Sequence, residues 1–370
     1  MRPARLWAWP VAWASLLTAI LLLLFGAPAA ALASTTLPSS YQIKNVPEYT
    51  QLDSSGCGAA CLEMVFAHWG PKIDYKEIVD VAESDTGTQL PSEARAAQFS
   101  SASYAQGYKY PGYEVNGYTG RALGYGAFYY ASTTPWLDQL KAIIAQGYPV
   151  ICLTNWLPGV YGPHYRVVTG YNDKTDKLTV MDPYPWGSDL APYVNPNPFV
   201  IDWLWPYSDF LSVWSLSTSD WGVPNLNYGA VVVVPWTMKV TVPHVVHRDQ
   251  QFRLRVTVSY PCPAPFGSSE FPQFGASSGV VRVAMAGGIH DMDGAGVVPL
   301  YGADFVTVQP GESPHVYLRL QAGSRLGVFR LKVRATATVS GSISAWGYYS
   351  AYNYSDRIGV LGSTVVKVVR

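Results

Sequence analysis

A chain of 370 residues with 25 basic and 25 acidic side chains carries no net charge and has no electrostatic footprint for nucleic acid. It is 49% hydrophobic and 14% aromatic, which excludes a disordered chain, and its length predicts two domains. Four cysteines, Cys57, Cys61, Cys152 and Cys262, allow three complete disulfide pairings, and spacing does not choose among them.

In chain order, residues 1–33 read as a secretory signal. Arg2 and Arg5 give a positive start, Val11 to Phe25 is an apolar run, and Ala31-Leu-Ala33 is a cleavage site before Ser34. The apolar run is about 15 residues, short of the ~20 that cross a bilayer. Cleavage is therefore favoured over an uncleaved membrane tether, and no later segment is long and apolar enough to span. Removing the segment leaves 23 basic against 25 acidic side chains. The expected location is secreted, where disulfides are permitted.

Gly58 to Trp69 predicts a helix with Ala60, Met64 and Ala67 on one face, stopped by Gly70-Pro71. Residues 104–130 hold eight tyrosines among many glycines and read as a long irregular insertion. Thr134 is expected to cap a helix with Pro135 at its first position, running through Leu137, Leu140, Ile143 and Ile144 to Gly147. Pro149 to Thr154 follows as a buried strand. His164 to Gly170 and Lys177 to Asp182 form a hairpin around the polar cluster Asn172–Asp176. With residues 171–175 as the loop, His164 lies directly opposite Asp182. Beyond Pro235-Trp236 helical periods vanish. Segments from Phe252, Val280, His315 and Gly327 alternate at period two between Gly, Pro and Ser turns. They predict an immunoglobulin-like β-sandwich over 237–370, after an α+β domain over 34–236.

Four residues in this first region make up one chemistry. Cys57 sits at a helix start between Gly56 and Gly58, where a helix N-terminus favours a thiolate and small neighbours let backbone approach. His164 supplies a base, Asp182 a carboxylate to orient it, and Gln51 an amide donor for an oxyanion. Cys61, one turn on, is expected in the core. The bland alternatives are a buried structural thiol, a satisfied histidine, an Asp-Pro turn and a surface amide. His68, His244, His247, His290 and His315 have no comparable partners, and Asn172 and Asp173 are reserve candidates for the orienting group. No cofactor is expected. Cys57 and Cys61 lack a second pair for zinc, and Asp291-Met-Asp293-Gly lacks the later ligands of a calcium loop.

Gln51-Leu-Asp-Ser-Ser-Gly-Cys57-Gly-Ala-Ala-Cys61-Leu-Glu-Met64 resembles the cysteine box of the C39 and C39-like peptidases, the bacteriocin-processing type. His164-Tyr-Arg-Val-Val-Thr-Gly-Tyr and Val180-Met-Asp-Pro183 are similar to that family's His and Asp boxes. The resemblance covers roughly residues 43–235. It implies a papain-like α+β fold with Cys57 as nucleophile, His164 as general base and acid, Asp182 as orienting group and Gln51 as oxyanion donor. Gly56 departs from the pattern, standing where transporter-linked members have Asp, and no transporter region follows.

The resulting expectation is a secreted bacterial cysteine peptidase that hydrolyses peptide bonds in a peptide or protein substrate. Nucleic acid and a stable membrane span are not expected partners, and the C-terminal domain is a candidate for cell-surface or glycan contact. The alternatives are an amidase or transglutaminase-like acyl transferase with the same triad, or a catalytically silent surface-binding protein.

Overall fold

A computed structural model describes residues 37–100, 103–105, 115–118, 124–184, 202–263, 279–285, 297–300, 304–308, 311–345 and 351–370. The expected signal at 1–33, His290 and the Asp291–Asp293 segment lie outside the described residues, as does much of the tyrosine-rich stretch.

Helix α1 (Cys57–Trp69) begins one residue earlier than expected and buries Ala59, Ala60, Leu62, Val65 and Phe66. It stops at Gly70, whose φ of 112° suits a residue without Cβ. Two helices that sequence periodicity did not reveal follow. In α2 (Tyr75–Ala82), Asp74 caps the first turn by accepting from the Lys76 N–H at 2.8 Å, and Ile78, Val81 and Ala82 are buried. Helix α3 (Leu90–Gln98) is buried from Ser92 to Gln98. Helix α4 (Leu137–Ala145) starts later than the Thr134-Pro135 signal, because Ser132 Oγ holds the Thr134 N–H in a turn at 3.2 Å. Gly147, with φ 88°, follows its end. Helix α5 (Tyr207–Trp214) completes the set among the described residues.

A seven-stranded antiparallel sheet divides these helices. Its strands are β1 (Ser40–Gln42), β4 (Tyr125–Ser132), β5 (Val150–Leu157), β6 (Val160–Asn172), β7 (Lys177–Met181), β8 (Asp202–Pro206) and β9 (Asn227–Pro235). The order is β4-β9-β5-β6-β7-β8, with β1 also on β6. A separate short pair, β2 (Tyr104–Ala105) and β3 (Val115–Asn116), lies between α3 and β4. Thus the end of the tyrosine-rich stretch is a sheet strand rather than irregular insertion. Period-two alternation sends Ile151, Leu153, Tyr165, Val167, Val231 and Val233 into a core with α1–α3. Val150, Cys152, Val168, Ala230 and Val232 face the other way, with Leu140, Ile143 and Trp214.

Beyond β9 the described residues form two further sheets. One has the order β10 (Thr237–Thr241), β12 (Gln251–Ser259), β16 (His315–Ala322), β14 (Val297–Pro299). The other runs β11 (Val245–His247), β18 (Tyr352–Val369), β17 (Gly327–Ile343), β13 (Gly279–Met285), β15 (Asp304–Val308). Their inward residues, among them Leu254, Val256, Leu318, Val333 and Val366, belong to the same apolar cluster as the second face of the large sheet. Trp236 stacks on Tyr260 with centroids 4.1 Å apart, and Phe128 of β4 approaches Tyr260 at 5.9 Å. Pro38–Arg370 is one compact unit.

Candidate active site

The hairpin of β6 and β7 delivers a histidine and a carboxylate to one place. His164 Nε2 lies 2.7 Å from Asp182 Oδ1, and both residues are buried. The register differs from the expected one. Near the turn Asn172 faces Lys177 and Gly170 faces Thr179, but past Thr169 the partners become Val168 with Val180 and Val167 with Met181. This bulge adds one residue to β6. Continued beyond Met181, the new register sets Asp182 across from Arg166, two residues from His164 on the same face. Without the bulge, Asp182 would fall opposite Val167 and point to the other side of the sheet.

Arg166 is the residue the sequence reading passed over. Its Nε donates to Asp182 Oδ2 at 2.7 Å, and its NH2 donates to the Trp156 carbonyl at 2.6 Å. NH1 reaches the Asn155 carbonyl at 2.9 Å and also Thr154 Oγ1. Thr154 in turn donates to the His164 carbonyl at 2.9 Å. The Tyr184 N–H adds a bond to Asp182 Oδ1 at 3.0 Å. Burial opposes a charge on Asp182, but the interaction with His164, the Arg166 charge and these hydrogen bonds win, holding the carboxyl well below its usual range. Burial, aided by Arg166, lowers the pKa of His164 against the pull of Asp182, so the ring is neutral at rest. The Trp156 ring meets His164 edge-on at 4.8 Å and Tyr184 at 4.9 Å, shielding the pair.

Cys57 enters from the N-terminus of α1. Tyr165, next in chain to His164, lines the same cavity as Cys57, and its backbone favours ionisation of the thiol. Burial works against the thiolate that the helix start favours: Cys57 is 7% exposed, and desolvation pushes its pKa up to about 11. Cys57 lines a cavity of ≈ 250 Å³ with Thr86, Gly87, Leu153, Pro163 and Trp221. A larger cavity of ≈ 620 Å³, lined by Tyr41, Lys44 and Lys177 among others, contains none of the four candidate residues. Cys61 is wholly buried behind Cys57, and all four cysteines are free thiols.

Gln51 is tied to the same cluster through its backbone, whose N–H donates to the Pro183 carbonyl at 2.7 Å, directly after Asp182. Its side-chain Nε2 donates to the Asp53 carbonyl at 2.7 Å, which leaves the second amide hydrogen for another acceptor. Gly56 is explained by its surroundings: a Cβ there would lie 1.6 Å from the Tyr75 hydroxyl. That hydroxyl donates to Asp53 Oδ2 at 2.9 Å and so fills the space beside the nucleophile. The reserve candidates sit elsewhere. Asp173 binds Lys141 and Tyr207, and Asn172 Oδ1 accepts from the Lys174 N–H. No group of three metal-ligating side chains occurs among the described residues.

Residues 43–204 match the model of the Peptidase_C39 like family. They form a peptidase C39-like domain of mixed α and β content. The solved peptidase domain of Streptococcus ComA, a bifunctional ABC transporter involved in quorum sensing, aligns at 17% identity. That alignment covers 52% of this chain and 99% of that domain, with a TM-score of 0.31. A Pyrococcus furiosus CARDB domain solved with di-metal ions aligns at 18% identity over 36% of this chain and 87% of that one, with a TM-score of 0.19. No curated protein matches the chain. The family match carries the C39-like assignment, and with it a suggestion of peptidase activity on peptide substrates.

Proposed function

We propose that this protein is a secreted cysteine peptidase that cleaves peptide bonds with Cys57, His164, Asp182 and Gln51. The observation that carries the reading is the buried His164–Asp182 hydrogen bond at 2.7 Å, with Tyr165, next in chain to His164, lining one cavity with Cys57.

Because thiol and imidazole are both neutral at rest, proton transfer accompanies attack rather than preceding it. His164 takes the Cys57 proton through Nδ1 as sulfur bonds to the substrate carbonyl carbon. Asp182 supports the imidazolium that forms. The oxyanion is met by the Cys57 backbone N–H and the free amide hydrogen of Gln51. Collapse expels the amine, which leaves with the proton from His164. Water, deprotonated by the same ring, then hydrolyses the thioester and restores the thiol. The ≈ 250 Å³ cavity beside Cys57 would hold one uncharged substrate side chain, since no charged group lines it.

Secretion rests on the sequence of residues 1–33. The same proposal reads 237–370 as an immunoglobulin-like sandwich domain, a reading supported by its two sheets and shared apolar interior. Peptide-library digestion by the 34–370 chain, with Cys57→Ala as control, tests the activity. Cleavage that disappears in the variant supports the proposal, and equal turnover by both proteins refutes it.

A further inference from the structure

Glu93 has no role in the chemistry above, yet it lies beside the nucleophile. Its side chain is fully buried on α3, and neither carboxylate oxygen has a hydrogen-bond partner. A buried carboxylate without partners is costly and calls for an explanation. Its position is fixed by Gly58, the residue after Cys57. A Cβ at Gly58 would stand 3.0 Å from Glu93 Oε2 and 2.9 Å from Thr88 Oγ1. The carboxyl group therefore fills the space beneath the first turn of α1, where only glycine lets it approach.

The groups around it are acids. Cys57 and Cys61 of α1 and Tyr165 of β6 each become harder to ionise when Glu93 is charged. Potential counter-charges are committed elsewhere. On the same helix, Arg95 reaches the Val81 carbonyl at 3.5 Å and lies over the Phe99 ring at 4.7 Å. Arg166 and Asp182 are paired with each other. Glu83, at the end of α2, accepts from Ser92 at 3.5 Å. A negative charge on Glu93 thus meets three neutral acids and no free cation among the described residues.

We propose that Glu93 is a positioning residue whose own charge state tunes how readily Cys57 gives up its proton: charged, it opposes the thiolate on top of burial, and neutral, it lifts that added opposition. The proposal rests on Cys57 as the reactive thiol. Burial raises the Glu93 carboxyl to about 8, below the Cys57 value of about 11, so Glu93 loses its proton to solvent first as pH rises. The site is thereby suited to acidic and neutral surroundings and is closed down by alkali.

The test is alkylation of Cys57 by iodoacetamide across pH 6–10, located by tandem mass spectrometry, in the wild type and Glu93→Gln. Without the charge, Cys57 should ionise about one pH unit lower and be alkylated about tenfold faster at pH 9. Glu93→Met provides a second uncharged variant should the amide not be tolerated. The linked stability readout has a definite sign. An acid with a raised folded pKa stabilises fully below its unfolded value of 4.5 and loses that contribution as pH rises through about 8. Wild-type melting temperature should fall over that window, and the variant should lack that component. Wild-type pH dependence of alkylation in both folded variants would overturn the proposal. If the alkylation shift appears but no peptide is cut, the peptidase reading fails while this inference stands.

Discussion

Arg166 Nε donates to Asp182 Oδ2 at 2.7 Å, leaving Oδ1 for His164. The orienting carboxylate is therefore fixed by a second ligand before it meets the imidazole. Replacing Arg166 with Met should cost about 3–5 kcal/mol, since it strips a buried ion pair of one partner. Arg166→Lys keeps the charge but cannot span Asp182, Asn155 and Trp156 together, and should also lower kcat. Thermal unfolding beside steady-state kinetics checks both; a Met variant within 1 kcal/mol of wild type would show that the pair contributes little.

Asp182→Asn preserves shape and removes the charge that supports the imidazolium. Because burial holds the Cys57 thiol neutral, the base must take its proton during attack, as in a serine enzyme. The loss in kcat should approach the roughly 10⁴-fold seen for a serine triad. Single-turnover kinetics measure it, and a loss under tenfold would assign orientation to another group.

The acid limb of activity follows from His164. Burial lowers its pKa from 6.5, so the ring stays neutral, and able to accept a proton, below that value. The pH profile of kcat/KM should hold until below pH 6.5 and then fall. A limb centred above 6.5 would contradict a base buried in this way.

The cysteine helix, the His-Asp hairpin and the alternating C-terminal strands were legible because each leaves a local pattern. The register was not. Sequence placed His164 opposite Asp182, but the hairpin closes with Asn172 facing Lys177 rather than around a 171–175 loop, and the bulge at Thr169 then sets Asp182 across from Arg166, on the same face as His164. Nothing local marks a one-residue bulge in His-Tyr-Arg-Val-Val-Thr-Gly. Arg166 did carry a signal, a charged residue two positions from the histidine in an otherwise apolar strand. Glu93 carried none, because Leu90-Pro-Ser-Glu-Ala-Arg reads as an ordinary solvated helix start. Its burial is a tertiary fact, produced by α3 packing against α1, α2, β4 and β9.

The continuous core predicts how the chain responds to truncation. Ending it at residue 236 removes Tyr260 from Trp236 and Phe128 and takes away the Arg357 carbonyl that accepts from Ser103 at 3.1 Å. Losing the Tyr260 ring alone should cost roughly 4 kcal/mol. A 34–236 fragment should therefore melt well below the 34–370 chain even though all four candidate residues precede Pro235. Equal melting temperatures would show that the two regions fold independently.

Gly56→Ala should drive the Tyr75 hydroxyl off Asp53, since a Cβ there would lie 1.6 Å from it. The expected cost is about 1–3 kcal/mol. Gly56→Ala combined with Tyr75→Phe, which lacks the clashing oxygen, should recover part of it. If the double variant melts no higher than Gly56→Ala, the close approach is not the cause.

The central claim is that Cys57 is a nucleophile activated by His164. Labelling with a peptide-based thiol-reactive probe, read by mass spectrometry on intact protein and on peptides, tests it most directly. The account predicts labelling at Cys57 in the wild type and in Cys61→Ser, with loss of labelling in a folded His164→Ala. Equal labelling in His164→Ala, or a probe that settles on Cys61 instead, would contradict it.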